Sequence, residues 1–305
     1  MKALFVGLGS IGKRHLDDLI DILGEKGETL IVDRVSHSDT PLPEKLSSVL
    51  RNTYHSFSEV TEKYDCTFIC NPISLHGEAI KALIDCSDNM YIEKPMFESL
   101  DPAYAEIPWG DGIYHVACPL RFHPVINRMY ELSKEYRIVS FRALCSSYLP
   151  GWRPGSDYRQ SYSARKDLGG GVRLDLIHEM DYIHWMFGTP EESVCRYGTY
   201  GDLGIETEDT ADYILKWPQM TGTVHLDYLG DPTRRSLEFI TNDGQLIFGD
   251  IVAGTVMYGD TVEVLKPAED IRRTEMRFFV DLLSGSRKPI NDQHDGWASL
   301  KISLE

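Results

Sequence analysis

Short apolar runs alternate with helical stripes over the first 120 residues of the chain. The run at 3–6 leads into a glycine-rich turn, after which apolar residues recur at helical spacing. This stripe consists of Leu16, Leu19, Ile20 and Leu23, and Gly24 ends it. Further strands are predicted at 29–32, 66–70, 90–92 and 113–117, and a further helix at 74–84. The alternation is typical of a doubly wound parallel sheet, the Rossmann architecture.

Beyond about residue 121 the pattern changes. A helix at 128–136, a strand at 138–148 and a helix at 173–187 precede a succession of strands. These strands are predicted at 193–200, 210–217, 221–229, 235–241, 245–248 and 255–258, with closing helices near 271–283 and 297–304. Consecutive strands favour an open, mainly antiparallel sheet. The sequence therefore predicts an α/β protein with a dinucleotide-binding domain at 1–120 and an α+β domain at 121–305.

The glycine-rich turn has the spacing G-x-G-x-x-G. Gly7 permits the tight turn, Gly9 lets the backbone approach a pyrophosphate, and Gly12 lets the helix pack closely on the strand. Ser10 and Ile11 lie at the helix N-terminus, whose N–H groups and partial positive charge attract phosphates. A glycine-rich turn without a ligand is the alternative, but the order of strand, glycines, helix and strand favours a dinucleotide.

An acidic residue follows the second predicted strand. Asp33 is at the distance from the glycines at which a carboxylate accepts hydrogen bonds from the adenosine ribose. A carboxylate there would repel a 2′-phosphate, which favours NAD over NADP. Arg34 leaves NADP open, because an arginine nearby can bind that phosphate.

Composition and charge narrow the class of protein. The chain has 305 residues and a net charge of −16, which argues against nucleic acids and anionic membrane surfaces as partners. No apolar run approaches the ~20 residues of a membrane span, and the first strand begins directly after Met-Lys, without a signal peptide. Six scattered cysteines without a C-x-x-C pair favour reduced thiols. We therefore expect a cytoplasmic protein.

Two motifs carry candidate chemistry in the first domain. Glu93-Lys94-Pro95 follows a predicted strand, at the sheet edge where open α/β sheets bind ligands. A lysine there can polarise a substrate hydroxyl or move a proton, although a surface ion pair between Glu93 and Lys94 is the alternative. His76 and His123 are expected near the cofactor cleft, with a capping or packing role equally open for each.

A second candidate site lies in the glycine-rich stretch 169–181. Asp175 and His178 are three positions apart, so a continuous helix would place them on one face, which Asp181 extends. A carboxylate and an imidazole on one face can orient a sugar-like substrate and move a proton. A helix-terminal acid with a core histidine is the alternative. The zinc motif H-E-x-x-H fails because Tyr182 stands where the second histidine is required, so no metal is predicted.

A basic and aromatic stretch precedes that helix. Aromatic rings can stack on a sugar or base, and arginines can bind phosphate through two hydrogen bonds. We assign to substrate binding Trp152, Arg153, Tyr158 and Arg159. A solvated basic loop or an oligomer brace is the alternative.

These motifs resemble, in order, those of the Gfo/Idh/MocA oxidoreductases. The resemblance rests on GLGSIG at 7–12, Asn71-Pro72 with His76, the E-K-P motif, and 121–124 (R-F-H-P) before the GGG–Asp–His segment. It implies a Rossmann domain, a C-terminal domain whose open sheet often forms oligomer interfaces, and NAD(P)-dependent oxidation or reduction of sugars and polyols.

The resemblance also implies site residues. Asn71, Pro72, His76, Glu93 and Lys94 join the cofactor site, and Lys94, Asp175 and His178 match the usual catalytic residues. Arg121 and His123 join the substrate residues, together with Asp181. In much of the family the aspartate and histidine are four apart, so the three-residue spacing puts the role of Asp175 in doubt. The stretch 148–159 is similar to a branch that acts on sugar nucleotides and surface glycans.

We therefore predict an NAD(P)-dependent oxidoreductase acting on a hydroxyl or ketone of a sugar, polyol or nucleotide-sugar. In this hypothesis Lys94 polarises the reacting oxygen, His178 exchanges its proton, and Asp175 or Asp181 positions the substrate. The protein is expected to form a homodimer or homotetramer through its C-terminal sheet. A non-catalytic dinucleotide sensor on the same fold is the main alternative, and a nicotinoprotein that keeps its cofactor bound is another.

Overall fold

A parallel six-stranded sheet forms within the first 117 residues. The computed structural model describes residues 1–38 and 40–305. In chain order the elements are β1 (Lys2–Val6), α1 (Ser10–Glu25), β2 (Ile31–Val35), α2 (Glu44–Ser47), β3 (Leu50–Tyr54), β4 (Cys66–Ile69), α3 (His76–Leu83), β5 (Met90–Ile92), α4 (Pro102–Ala105) and β6 (Tyr114–Val116). The strand order β3-β2-β1-β4-β5-β6 confirms the predicted Rossmann-like sheet.

An eight-stranded, mainly antiparallel sheet forms farther along the chain. Its elements and the associated helices are α5 (Pro124–Glu135), β7 (Ile138–Ser146), α6 (Val172–Asp175), α7 (His178–Phe187), β8 (Glu192–Gly198), β9 (Thr210–Trp217), β10 (Met220–Asp227), β11 (Arg234–Thr241), β12 (Leu246–Asp250), β13 (Thr255–Tyr258) and β14 (Thr261–Val264). The strand order is β14-β13-β12-β11-β7-β10-β9-β8, and only the β7–β10 pair is parallel. The open sheet predicted for this half is confirmed.

The chain divides into two compact units. The first comprises Met1–Ala117 with Arg272–Trp297, and the second comprises Cys118–Ile271 with Ala298–Glu305. Helix α8 (Ile271–Leu283) thus belongs almost entirely to the first unit, whereas the predicted boundaries placed it in the second domain. Helix α9 (Gln293–Leu304) begins in the first unit and ends in the second.

Apolar side chains of α1 and α8 cover one face of the first sheet. Phe5 of β1 stacks on Phe68 of β4 with ring centroids 4.3 Å apart, and Phe279 of α8 packs edge-on against Phe68. From α1 the stripe buries Leu16, Leu19, Ile22 and Leu23, while Ile20 is only partly buried. This packing fixes the start of α1 against the end of β1, where the glycine-rich turn lies.

Two predicted elements differ from the structure. Strand β2 continues past Asp33 to Val35, so Asp33 lies inside the strand rather than at its end. The helix predicted at 173–187 is two helices, because Leu176 has ψ of 28° and interrupts the α-helical backbone between Asp175 and His178. The prediction that a continuous helix places Asp175 and His178 on one face is therefore wrong.

Two further expectations concern membrane-spanning helices and the state of the cysteines. None of the described helices is long and apolar enough to cross a membrane. All six cysteines are free thiols, and four of them are buried.

Candidate functional site

The three glycines of the first turn occupy three different environments. Gly7 has φ of +85°, and a Cβ on it would lie 2.8 Å from the Asn71 Cα. A Cβ on Gly12 would lie 2.2 Å from the Gly7 carbonyl oxygen, which is closer than atoms can approach. A Cβ on Gly9, by contrast, would meet no described atom within 4 Å. Gly7 and Gly12 are thus required by the fold, whereas Gly9 leaves open space.

The start of α1 fits a dinucleotide pyrophosphate. The helix begins at Ser10, and no side chain of the described residues caps its N-terminal N–H groups. No acidic residue lies in its first turn. The buried Oδ1 of Asn71, which packs against Gly7, has no hydrogen-bond partner in the described part of the chain. Gly9, Ser10 and Ile11 would therefore hold the phosphates of a bound NAD, whereas the Asn71 Oδ1, which only accepts hydrogen bonds, would face a donor group of the cofactor such as a ribose hydroxyl or the nicotinamide amide.

Asp33 is buried beneath the sheet edge instead of facing a ribose. Arg51 donates to its carboxylate through Nε and Nη2, at 3.0 and 2.5 Å, and Tyr64 donates its hydroxyl at 2.7 Å. Burial opposes ionisation of Asp33, but the hydrogen bonds from Arg51 and Tyr64 outweigh it and hold its pKa below the ordinary value. The Asp33 carboxylate therefore ties β2 to its neighbours.

The side chains of His76 and Arg34 also have hydrogen-bond partners within the first unit. His76 is fully buried at the start of α3, and its Nδ1 and Nε2 face the carbonyl oxygens of Met96 and Asn71 at 3.2 and 2.9 Å. Burial lowers the pKa of His76. Arg34 is buried and donates from Nε to the Thr53 hydroxyl at 3.0 Å. The histidine thus has the packing role left open by the sequence, and Pro72 is exposed beside it.

The E-K-P segment follows β5 directly, with a cis bond between Lys94 and Pro95. Glu93 pairs with the buried His15 of α1. Burial opposes ionisation of Glu93, but the His15 hydrogen bond and charge outweigh it and lower its pKa. Lys94 is half-buried at the carboxyl end of β5. Glu93 is thus directed to a partner other than Lys94, which weakens the surface ion-pair interpretation of the motif.

In the second unit Asp175 lies at the centre of a tyrosine cluster. Tyr228 donates its hydroxyl to Asp175 Oδ2 at 2.8 Å, and Tyr162 donates to Oδ1. Burial and then the Asp175 charge raise the pKa values of both tyrosines far above the ordinary value. The two hydroxyls therefore remain protonated and hold a buried carboxylate in a fixed position.

His178 begins helix α7, which carries the acidic members of two ion pairs, one buried and one partly buried. Arg121 donates to Asp181 from Nη2 at 2.7 Å, and both side chains are buried. Arg235 and Glu179 form a similar pair, with Nε 2.7 Å from Oε1. Asp181 and Arg121 therefore engage each other within the fold, which argues against the substrate role predicted for them.

His123 caps α5, because its Nδ1 accepts the Val125 N–H at 3.3 Å. Burial, followed by the nearby Arg235 charge, lowers the His123 pKa. His178 itself is 9% exposed. His178 lies in the first turn of α7, three positions after Asp175 in the sequence, and its imidazole is nearly buried.

The predicted substrate loop is a series of 3₁₀ turns that contacts the tyrosine cluster. Trp152 meets the Tyr228 ring edge-on at 5.3 Å, and the Arg153 guanidinium lies 5.5 Å from the Tyr162 ring centre. Tyr158 donates its hydroxyl to the Leu203 carbonyl oxygen at 2.8 Å, and Arg159 lies over its ring. Trp152 and Arg153 thus contact the two tyrosines, Tyr228 and Tyr162, that bind Asp175. Tyr158 instead binds the Leu203 backbone.

Sequence reasoning missed both tyrosine partners of Asp175. Tyr228 is 53 positions from Asp175 and follows a strand, so no local spacing relates the two residues. The described residues contain no group of three or more histidine, cysteine or acidic side chains placed to hold a metal ion.

Two family comparisons cover most of the chain. Residues 1–106 match the family described as an oxidoreductase family with an NAD-binding Rossmann fold. Residues 128–247 match the C-terminal domain of the GFO/IDH/MocA family. Among curated relatives, the uncharacterized oxidoreductase YrbE of Bacillus subtilis is 24% identical over 201 residues, or 63% of this chain and 55% of the relative. The chain thus spans about half the length of that relative.

Solved structures similar to this chain share its fold over nearly the whole length. Myo-inositol 2-dehydrogenase from Lactobacillus plantarum has a TM-score of 0.75 at 19% identity, covering 99% of this chain and 95% of that one. Levoglucosan dehydrogenase in complex with NADH and levoglucosan scores 0.79 at 15% identity, with the same coverage. UDP-N-acetylglucosamine 3-dehydrogenase GnnA from Acidithiobacillus ferrooxidans scores 0.79 at 18% identity, covering 100% and 95%.

Proposed function

Because the chain belongs to the Gfo/Idh/MocA family of oxidoreductases and contains an NAD-binding Rossmann domain, we propose that it transfers a hydride to or from a sugar-type substrate. The substrate class is a hydroxyl or ketone of a sugar, polyol or nucleotide-sugar. The open space at Gly9, before an uncapped helix start, is the observation that carries the proposal. The sugar and nucleotide-sugar dehydrogenases among the similar folds support this class.

Each candidate residue has a separate chemical role in this proposal. When bound, the nicotinamide supplies or accepts the hydride. Lys94, at the carboxyl end of β5, polarises the reacting oxygen with its ammonium group. His178 takes or returns the hydroxyl proton. Asp175, held by Tyr162 and Tyr228, accepts hydrogen bonds from a substrate hydroxyl through its remaining lone pairs.

The proposal is tested by turnover of two variants on a panel weighted toward nucleotide-activated sugars. Lys94→Ala and His178→Ala should each lower kcat by about 10²–10⁴-fold, the usual effect of removing an acid–base group. Lys301→Ala and His294→Ala remove the same side chains from exposed positions and should leave turnover unchanged. The reduced-nicotinamide absorbance band reports the reaction. Near-wild-type turnover of both site variants would refute the assignment.

The same measurements separate an enzyme from a sensor. Cofactor binding without turnover on any substrate of the panel would favour a non-catalytic dinucleotide sensor. Cofactor that survives purification and is reduced in place would favour a nicotinoprotein. Turnover with exchangeable cofactor is the result expected here.

We further propose that the protein assembles as a homodimer or homotetramer through the outer face of its eight-stranded sheet. Strand β9 alternates so that Tyr213 and Leu215 are buried while Ile214 is 58% exposed. Other exposed apolar side chains of these strands are Val194, Leu246, Met257, Val262 and Val264. These residues lie at the two ends of the strand order, on β8–β9 and on β12–β14, and exposed apolar side chains of this kind mark interaction surfaces.

The assembly proposal is tested by the molar mass in solution. Val194→Lys together with Ile214→Lys should convert the assembly to a species of half the mass or less by light scattering. Ser47→Lys with Thr61→Lys adds the same charge at exposed polar positions of the first unit, outside the eight-stranded sheet, and serves as the charge control. A wild-type protein of monomeric mass would contradict the proposal.

A further inference from the structure

The position of Asp33 in β2 does not suit the adenosine-ribose contact that the sequence predicted for it. In parallel pairing, Leu4 lies opposite Asp33 and Val6 lies opposite Val35. Asp33 is therefore two residues, or roughly 6–7 Å, below the last pair of the two strands. With both oxygens hydrogen-bonded to Arg51 and its neighbours, the Asp33 carboxylate faces the interior of the unit.

The first residue past the carboxyl edge of β2 is Ser36. The Gly7 N–H donates to the Val35 carbonyl oxygen at 3.3 Å, which places Ser36 level with the first glycine of the phosphate turn. On its other side, the Ser36 N–H donates to the Tyr54 carbonyl oxygen at the end of β3. Ligands of open α/β sheets bind beyond the carboxyl ends of the strands, so Ser36 stands where the ribose of a bound dinucleotide is read.

The turn that begins at Ser36 presents hydroxyl and imidazole groups. The Ser36 hydroxyl donates to the Ser38 carbonyl oxygen at 3.1 Å and accepts the Ser38 N–H at 3.0 Å. His37 and Ser38 are exposed. Among the described residues of this turn there is no carboxylate, and the nearby Glu59 carboxylate is bound by the His55 N–H and the Ser56 hydroxyl. Hydroxyls and an imidazole can donate hydrogen bonds to a phosphate, whereas a carboxylate would repel it.

We propose that Ser36, His37 and Ser38 form the subsite for the 2′ position of the adenosine ribose, and that this subsite accepts the 2′-phosphate of NADP(H) as well as the hydroxyl of NAD(H). Asp33 then has no part in cofactor choice and serves the structure of β2 and β3. The inference rests on the dinucleotide binding of the proposed function.

The test compares the dissociation constants of NADH and NADPH, measured by nicotinamide fluorescence with the full chain. In the wild type the two constants should agree within about tenfold, because none of the described residues at the subsite carries a charge that repels the phosphate. Ser36→Asp places a carboxylate at the subsite and should weaken NADPH at least about tenfold while changing NADH less than about threefold. Ser48→Asp adds the same charge before β3, at the opposite edge of the sheet, and should change neither constant.

Two further variants test whether a carboxylate binds the ribose and sets the cofactor preference. Asp33→Asn should leave the ratio of the two constants unchanged and lower the unfolding temperature, because Arg51 and Tyr64 lose a buried charged acceptor. If Asp33→Asn or Asp39→Asn tightens NADPH relative to NADH at least about tenfold, that carboxylate sets the preference and the inference is overturned. Asp39 lies outside the described residues.

The outcomes separate this inference from the function on which it rests. If the wild type binds NADH but binds NADPH more than about 100-fold more weakly, the subsite inference alone fails. If the wild type binds neither cofactor, the proposed dinucleotide function fails and the subsite fails with it.

Discussion

At the scale of single residues, buried charges are held by partners that are distant in the sequence. Asp175 receives hydroxyl hydrogen bonds from Tyr162 and Tyr228, and the Tyr228 side chain is fully buried. Tyr228→Phe should therefore lower the free energy of unfolding by about 1–3 kcal/mol, because one carboxylate oxygen loses a buried donor. Denaturant titration measures this change.

A matched tyrosine provides the control for that prediction. Tyr158→Phe removes a hydroxyl that donates to the uncharged carbonyl oxygen of Leu203, so a smaller loss of about 0.5–1.5 kcal/mol is expected. If Tyr228→Phe costs no more than Tyr158→Phe, the Asp175 carboxylate does not depend on its tyrosine partners. A rise in KM for Tyr228→Phe, with the fold intact, would link the cluster to substrate positioning.

The Arg121–Asp181 pair gives a second residue-scale prediction. Arg121→Met leaves a buried, unpaired carboxylate and should destabilise the second unit by about 3–5 kcal/mol. The double variant Arg121→Met/Asp181→Leu removes both charges and should recover most of that loss. A double variant as unstable as the single one would show that the charge pair is not the source of the effect.

Residue environments were predictable where a local motif determined them. The three glycines lie in the environments expected from their spacing, whereas Asp175 and His178 stand on two helices instead of the predicted single one. The environment of Asp33 could not be predicted, because the length of β2 depends on pairing with β1 and β3. A shift of two residues along a strand decides whether a carboxylate meets solvent or the interior.

At the scale of elements, helix α1 has a folding role, and its start has the binding role proposed above. Gly12→Ala would place a methyl group 2.2 Å from the Gly7 carbonyl oxygen, so both the unfolding temperature and NADH affinity should fall. Gly9→Ala meets no described atom within 4 Å, so it should lower NADH affinity at least about tenfold while leaving the unfolding temperature unchanged. Calorimetry and fluorescence titration measure the two properties.

Gly24 offers the control within the same helix. A Cβ on Gly24 would also meet no described atom within 4 Å, and the residue lies near the far end of α1, still inside the helix. Gly24→Ala should stabilise the protein by about 0.5–1 kcal/mol without changing NADH affinity. Equal losses of NADH affinity in Gly9→Ala and Gly24→Ala would contradict the binding role of Gly9.

The elements that sequence could predict are those with strong apolar patterns. Strand β9 and helix α8 have the predicted bounds, because alternation or helical spacing runs through their whole length. Strand β3 was missed since Leu50–Tyr54 is a polar edge strand with exposed positions. The interruption at Leu176 was missed because the apolar pattern continues across it. Hydrophobic periodicity reports burial, and it does not report a local change of backbone angle.

At the scale of the whole molecule, stability should depend on pH through a charged cluster on the eight-stranded sheet. His225 lies between Asp212 and Asp227, with ring nitrogens 2.6 and 3.0 Å from their oxygens. The Asp227 hydrogen bond, with that of Asp212, raises the His225 pKa from 6.5 to about 9 despite partial burial. Arg196 and Arg234 line the same depression as these three side chains.

The direction of this pH dependence follows from the two protonation states. The folded protein holds the His225 proton up to about pH 9, whereas the unfolded chain releases it near 6.5, so the stabilisation is complete below 6.5 and is lost between these values. His225→Gln should therefore be less stable than the wild type at pH 6, and the difference should shrink toward about pH 9. Urea unfolding across this pH range measures the difference.

Two comparisons make the pH prediction specific. His294→Gln replaces an exposed histidine and should show no such trend. Asp227, whose pKa is lowered to about 2 because the His225 and Ser146 hydrogen bonds outweigh burial, should lose its stabilisation as the pH falls from 3.8 toward that value. If the free energies of unfolding of wild type and His225→Gln differ by the same amount at every pH, the cluster does not cause the pH dependence of stability.

The pairing of β7 with strands much later in the chain determines when the sheet can form during synthesis. Ser140 of β7 pairs with Thr221 on one side and with Ile240 on the other, about 80 and 100 residues later in the chain. At about 5–20 residues per second, a ribosome needs roughly 4–16 s to supply the nearer partner. Until then Phe141, Ala143 and Cys145, which are buried in the finished sheet, have neither strand beside them. During this interval β7 has unpaired edges and uncovered apolar side chains, the features that make an incomplete chain prone to aggregation.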